Sequence, residues 1–170
     1  MKKLAFTVIG PDRPGIVAEL SGIITKCGGN WLESHMANLA GQFAGIVELD
    51  VADDKLDELC ESLRSQTSGD LQVVIANTSP ESNEQSRSVG FEIVGKDHPG
   101  IVRDITECVA KCNAGIEVFQ TELFSASMSG EEMFKAVLHI RVPETVSIDD
   151  VQTALENVSQ DLMMDLVVDD

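Results

Sequence analysis

The chain carries one sequence pattern twice, and this repeat constrains the fold more than any other feature. Residues 6–27 align on residues 91–112 without a gap. Besides the phenylalanine that opens each copy, the shared residues are Gly10, Asp12, Pro14, Gly15, Ile16, Val17, Lys26 and Cys27, which recur as Gly95, Asp97, Pro99, Gly100, Ile101, Val102, Lys111 and Cys112. Such a match indicates two copies of one structural unit.

The match continues downstream with small insertions. Residues 43–51 align on residues 134–142, and the second copy carries six extra residues near 125–130. The alignment shifts again from Asp54 onward. Both insertions fall in predicted loops, where extra residues are tolerated best.

The opening of each copy predicts a strand followed by a helix. A short apolar strand, residues 4–9 or 89–94, ends at a Gly-x-Asp-x-Pro-Gly turn. The apolar residues that follow recur with helical spacing and form one stripe. They are Ile16, Val17, Leu20, Ile23, Ile24 and Cys27 in the first copy, and Ile101, Val102, Ile105, Cys108, Val109 and Cys112 in the second.

The rest of each copy completes a βαββαβ order. A strand starts near Trp31 or Ile116, and the next strand alternates apolar and polar residues. A second amphipathic helix and a last strand follow, the latter near residues 71–76 or 166–168. This order predicts an α+β fold of two ferredoxin-like domains, each an antiparallel sheet with its helices on one face.

A polar segment separates the two copies. Residues 77–88 contain no hydrophobic residue, so this stretch cannot bury itself and is predicted to be a flexible linker. We therefore expect domain 1 at residues 1–77, a linker at 78–87 and domain 2 at 88–170.

Charge argues against nucleic acid and membranes as direct partners. The chain has 12 Lys and Arg against 29 Asp and Glu, a formal net charge of -17. Phosphate groups would repel such a protein, because binding them needs clustered Lys and Arg. If this protein controls a gene, we expect it to act through another protein.

A cytoplasmic location is the expectation. The apolar run after Lys3 is too short for a secretory signal and meets a Gly-Pro turn. No stretch approaches the roughly 18 apolar residues of a membrane span.

The two strand-to-helix turns, residues 10–15 and 95–100, are the candidate binding sites. Exposed amides of Gly15, Ile16 and Val17 would suit a ligand carboxylate at the positive end of the helix dipole. Asp12 or Asp97 would suit an ammonium, so each turn offers partners for a free amino acid. Helix capping or turn formation explains an aspartate here equally well.

The Asp-x-Pro-Gly-Ile-Val turn, the helix behind it and the following Asn30-Trp31 resemble the signature of ACT domains, which are small ligand-sensing modules of amino-acid metabolism. Two such domains and little else resemble the glycine cleavage system transcriptional repressor family of bacteria. The resemblance covers nearly the whole chain. It implies repression of glycine-cleavage genes through contact with a LysR-type activator, with glycine as the effector. The alternative is a regulatory module that controls an amino-acid or one-carbon enzyme.

The family likeness also implies which residues bind the ligand. Its sites form where the turn and first helix of one domain meet the second strand of a neighbouring domain, and a homodimer is one way to supply that neighbour. The matching positions here are Asp12, Pro14, Gly15, Ile16 and Asn30 in copy one, and Asp97, Gly100 and Ile101 in copy two. Copy two has Gly115-Ile116 in place of Asn30-Trp31, so we rank the first site higher.

The residues do not favour an enzyme, a cofactor or a metal site. Cys27, Cys60, Cys108 and Cys112 fall on apolar helical stripes, as structural thiols do. Cys108 and Cys112 are four residues apart, but no His or carboxylate shares their stripe. The three histidines are scattered along the chain, and only His98 lies in a candidate turn.

Overall fold

A computed structural model describes residues 1–67, 69–77, 85–127, 130–158 and 162–167. The chain divides into two compact units, Met1–Glu81 (unit 1) and Ser82–Asp170 (unit 2). Most of the predicted linker, residues 78–84, lies outside the described residues. Ser86 and Arg87, which the prediction also placed in the linker, belong to a strand because they pair with Pro143 and Val142.

Unit 1 is a four-stranded antiparallel sheet with two helices. Its elements are β1 (Lys2–Pro11), α1 (Ile16–Lys26), β2 (Asn30–Leu39), β3 (Gln42–Val51), a short 3-10 helix (Asp53–Lys55), α2 (Leu56–Gln66) and β4 (Gln72–Asn77). The strand order is β2-β3-β1-β4.

Unit 2 repeats this architecture. Its elements are β5 (Ser86–Lys96), α3 (Ile101–Lys111), β6 (Gly115–Ser125), β7 (Glu132–Pro143), α4 (Ile148–Glu156) and β8 (Leu162–Val167). The strand order is β6-β7-β5-β8. The predicted βαββαβ fold is therefore confirmed in both copies. The last strand of unit 2 begins at Leu162, earlier than the predicted residue 166, because Leu162 pairs with Gly95 and is buried. Residue 168 lies outside the described part of the chain.

Each unit has its own apolar core between its helices and one face of its sheet. The helical stripe of α1 supplies Ile16, Leu20, Ile23, Ile24 and Cys27 to the core of unit 1. The sheet supplies alternate residues, which are Leu4, Phe6, Val8, Phe43, Val47, Leu49 and Val51. Periods of 3.6 and 2 residues thus account for the two halves of the core.

The cysteines pack as the stripes predict. Cys27 is buried, and Cys60, Cys108 and Cys112 are half-buried against the cores. Burial raises the pKa of the Cys60 and Cys108 thiols, which keeps them protonated and poorly nucleophilic.

Both second strands carry a β-bulge at the same place. The register shifts between Trp31 and Glu33 in unit 1, and between Ile116 and Val118 in unit 2. The bulged residue of unit 2 is Glu117. Its carboxylate accepts hydrogen bonds from Ser88 Oγ at 2.6 Å and Arg141 Nε at 2.9 Å.

These contacts predict a measurable pH effect. The hydrogen bond from Ser88, followed by Arg141, holds the pKa of Glu117 below its usual range. A pKa that is lowered in the folded state stabilises the fold at pH values above the ordinary glutamate pKa of about 4.3. This stabilisation is lost as the pH falls through the lowered pKa. We expect Glu117→Gln to make the unfolding free energy depend less steeply on pH below about 4.3. The total difference from the original protein over that range should be less than about 1 kcal/mol. Urea titrations across that range check it, and an unchanged slope contradicts it.

Among the described residues, no helix combines the length and apolar character needed to cross a membrane.

Candidate functional site

Each candidate turn ends in a glycine that begins the helix. Gly15 has φ 92 and ψ 0, and Gly100 has φ 97 and ψ -3. This left-handed conformation strains any residue with a Cβ, which explains why glycine stands in both copies. Neither helix has a side-chain cap. Asp12 and Asp97 therefore do not cap their helices, and turn formation is the remaining alternative to a ligand-binding role.

Asp12 is held against the turn that joins β2 and β3. Its amide donates to the Gly41 carbonyl at 2.9 Å. Its exposed carboxylate accepts a short hydrogen bond from Asn38 Nδ2. The next residue, Arg13, pairs with Glu19 of α1 at 2.6 Å. Unit 1 thus fixes an aspartate beside the start of α1 and leaves it facing solvent.

Asn38 belongs to this site although no pattern in the sequence marks it. It lies at the far end of β2 and pairs with Phe43, so only the strand register brings it to Asp12. The equivalent strand position in unit 2, opposite Phe134, is Leu123. A carboxamide that orients the acid in unit 1 is thus replaced by an exposed apolar side chain in unit 2.

The main chain of the two turns also differs. In unit 2 the Ile101 amide donates to the His98 carbonyl at 3.3 Å. In unit 1 the described residues provide no acceptor for the amides of Gly15, Ile16 and Val17. The first turn therefore offers the larger set of available donors, as is usual at a helix N-terminus.

The side chains of Ile16 and Ile101 belong to the cores, where they are 2% and 4% exposed. Only the backbone of these predicted site residues can reach a ligand. Pro14 is exposed in the turn.

Asn30 does not join the turn within its own unit. It pairs with Asp50, which lies beside Lys3 at the start of β1. Asp12 follows the other end of that strand, about 30 Å away at 3.3 Å per residue. One unit therefore brings Asp12, Pro14, Gly15 and Ile16 together and leaves Asn30 at the opposite end of the sheet.

No group of three or more His, Cys, Asp or Glu side chains within the described ranges is placed to hold a metal ion.

Comparison with known proteins agrees with this architecture. The ACT domain family model matches residues 3–75 and 91–169. A solved structure of an unknown protein from Galdieria sulphuraria is 28% identical, with 98% of this chain and 99% of that chain covered and a TM-score of 0.85. A second structure, of a proposed glycine cleavage system transcriptional repressor, is 19% identical, with 99% and 98% covered and a TM-score of 0.72. No curated protein matches the chain. The family match covers both repeats and most of the sequence, so the chain belongs to the ACT domain family.

Proposed function

We propose that this protein is a cytoplasmic sensor of glycine or a related small amino acid, and that it represses glycine-cleavage genes by binding a LysR-type activator. The observation that carries the proposal is the ACT domain match in both units, because ACT domains are regulatory modules. The chain acts by binding and has no catalytic role of its own.

Two further observations support this assignment. One solved structure that shares the two-domain architecture over 99% of the chain is a proposed glycine cleavage system transcriptional repressor. The net charge of -17 disfavours direct contact with operator DNA. An acidic regulator of transcription is better suited to act on a DNA-binding protein than on the DNA.

The ligand site proposed in unit 1 is built from opposite charges. The amides of Gly15, Ile16 and Val17 receive the carboxylate of the amino acid at the start of α1. The Asp12 carboxylate, oriented by Asn38, receives the ammonium group. Asn30 lies at the other end of the sheet, and it contacts the ligand site of a neighbouring copy of the domain. The equivalent site of Asp97, Gly100 and Ile101 is expected to be weaker, because it lacks the asparagine and one free amide.

Calorimetry with glycine tests this site. Asp12→Ala removes the charged partner of the ammonium, so we expect the dissociation constant to rise about tenfold or more. Asp57→Ala is the matched control, because Asp57 is also an exposed aspartate of unit 1 and lies in the first turn of α2. The control should bind as the unsubstituted protein does. Equal binding by Asp12→Ala, with its thermal unfolding unchanged, would exclude this site.

A gel shift tests the indirect route of repression. At physiological salt the protein alone should leave glycine-cleavage operator DNA unshifted, since its charge repels phosphate. A purified LysR-type activator should shift the DNA, the protein should alter that shifted band, and glycine should restore it. Tight, specific DNA binding by this protein alone would contradict the proposal. The proposal would also be contradicted if the protein left the band of the activator–DNA complex unchanged at every glycine concentration.

A further inference from the structure

The two candidate turns differ in what lies beside the glycine that begins the helix. A Cβ added at Gly15 would meet no heavy atom within 4 Å outside the adjoining backbone, so the turn of unit 1 is open at this point. A Cβ added at Gly100 would lie 3.3 Å from Arg103 Nη2 and 3.7 Å from Arg103 Cζ. The guanidinium of Arg103 therefore fills the space beside Gly100 that is empty beside Gly15.

The position of Arg103 in α3 explains this contact. Arg103 is the third residue of the helix, and helical side chains lean back toward the N-terminus. Asp104 holds the guanidinium there, because its Oδ1 accepts hydrogen bonds from Arg103 Nε at 3.1 Å and from Arg103 Nη2 at 2.9 Å. The paired acid is needed at this place, since the positive end of the helix dipole would repel a guanidinium alone.

Unit 1 lacks this arrangement. In the alignment of the two copies, Ala18 stands in the place of Arg103 and Glu19 in the place of Asp104. Alanine is too short to reach back to the turn. Arg13 precedes the helix and pairs with Glu19 at 2.6 Å, and this pair leaves the space beside the first glycine empty. The fold therefore does not require a guanidinium at the turn.

We propose that Arg103 decides which turn binds the amino acid: it keeps the ligand out of the turn of unit 2, so that the chain senses amino acids through unit 1. This role rests on the proposed function, since it concerns the same ligand. An amino acid that enters the turn of unit 2 must displace the guanidinium from Gly100, and its carboxylate gains that guanidinium only by taking it from Asp104. Its ammonium group meets a positive charge there. Neither cost arises at Gly15.

The exposure of the ion pair sets the size of the effect. The side chain of Arg103 is 70% exposed, and an ion pair at such a position contributes little to stability. We therefore expect Arg103 to weaken amino-acid binding at unit 2 about twofold to fivefold. This factor adds to the loss caused by the leucine that stands in place of Asn38.

A glycine titration followed by NMR measures the two turns separately, because each amide reports its own dissociation constant. Arg103→Ala should lower the constant at Gly100 about twofold to fivefold and leave the constant at Gly15 unchanged. Ala18→Arg, at an exposed position of α1, should raise the constant at Gly15 by a similar factor of about twofold to fivefold. The two variants exchange the property that distinguishes the turns.

Matched controls separate this effect from net charge. Lys111→Ala removes one positive charge from the last turn of α3, and Thr25→Arg adds one at an exposed position in the last turn of α1. Both should leave the two constants unchanged. If Lys111→Ala strengthens binding at unit 2 as much as Arg103→Ala does, charge alone is the cause and the role of Arg103 is overturned.

A second measurement needs no amino acid and separates this role from the proposed function. A soluble, neutral gadolinium chelate relaxes the protons that it can approach. The α-protons of Gly15 should relax faster than those of Gly100, and Arg103→Ala should remove the difference. If this holds while glycine shifts neither turn in any variant, the proposed function fails and the closed turn of unit 2 stands. Equal relaxation at the two glycines overturns the proposal, and so does an Arg103→Ala variant that binds glycine at unit 2 no better than the original protein.

Discussion

Leu20→Ala is expected to lower the free energy of unfolding of unit 1 by about 3 kcal/mol, within the range of roughly 2–5 kcal/mol seen for buried leucines. Leu20 lies in the middle of α1 and is 0% exposed, packed between the helix and the sheet. Truncation removes buried apolar surface and leaves a cavity that a close-packed core cannot fill. Because small domains are only marginally stable, this change removes a large fraction of the free energy of unfolding of unit 1.

Trp31 makes the effect measurable in unit 1 alone. It is the only tryptophan of the chain and packs against the unit 1 core, so its fluorescence in a urea titration follows that unit. Leu39→Ala is the matched control, because Leu39 is 79% exposed and its truncation should change stability by less than about 0.5 kcal/mol. If the two variants unfold at the same urea concentration, the core of unit 1 is not packed as described.

The fold could be predicted from the sequence because its signals are local and occur twice. The apolar spacing of Ile16, Leu20 and Ile24 is enough to define a helix face, and the alternation from Phe43 to Val51 defines a strand. Element boundaries were less predictable. β1 runs to Pro11, beyond its apolar run, because it pairs with β3 along its whole length. Pairing partners of this kind are distant in sequence, so the residues near the end of a strand do not predict them.

The candidate site could be predicted only in part, for the same reason. The Pro-Gly turn is a local motif, and Gly15 does adopt the left-handed conformation that only glycine takes easily. The Asp12–Asn38 contact depends on the register of β2 against β3, and this register is set by tertiary structure. The separation of Asn30 from Asp12 likewise follows from the direction of the strands, which cannot be predicted from the identity of either residue.

Gly10 shows how a turn motif can hide a packing requirement. By its position in the sequence, Gly10 opens the candidate turn at residues 10–15. The structure places it inside β1, next to the start of β4. A Cβ there would lie 2.7 Å from Leu71 Cδ2 and 2.8 Å from the Asp70 carbonyl oxygen. The missing side chain therefore makes room for the chain that enters β4.

We expect Gly10→Ala to destabilise unit 1 by about 2 kcal/mol, because the backbone at Asp70 and Leu71 cannot yield as a flexible side chain would. Gly22→Ala is the contrasting variant. Gly22 lies within α1 with nothing within 4 Å of its added Cβ, so alanine should stabilise the unit by about 0.5–1 kcal/mol. In urea titrations followed by Trp31 fluorescence, the unfolding midpoint should therefore fall for Gly10→Ala and rise for Gly22→Ala, although both variants add one methyl group. If Gly10→Ala is as stable as the original protein, β4 does not approach β1 as closely as described, and glycine at this position has some other cause.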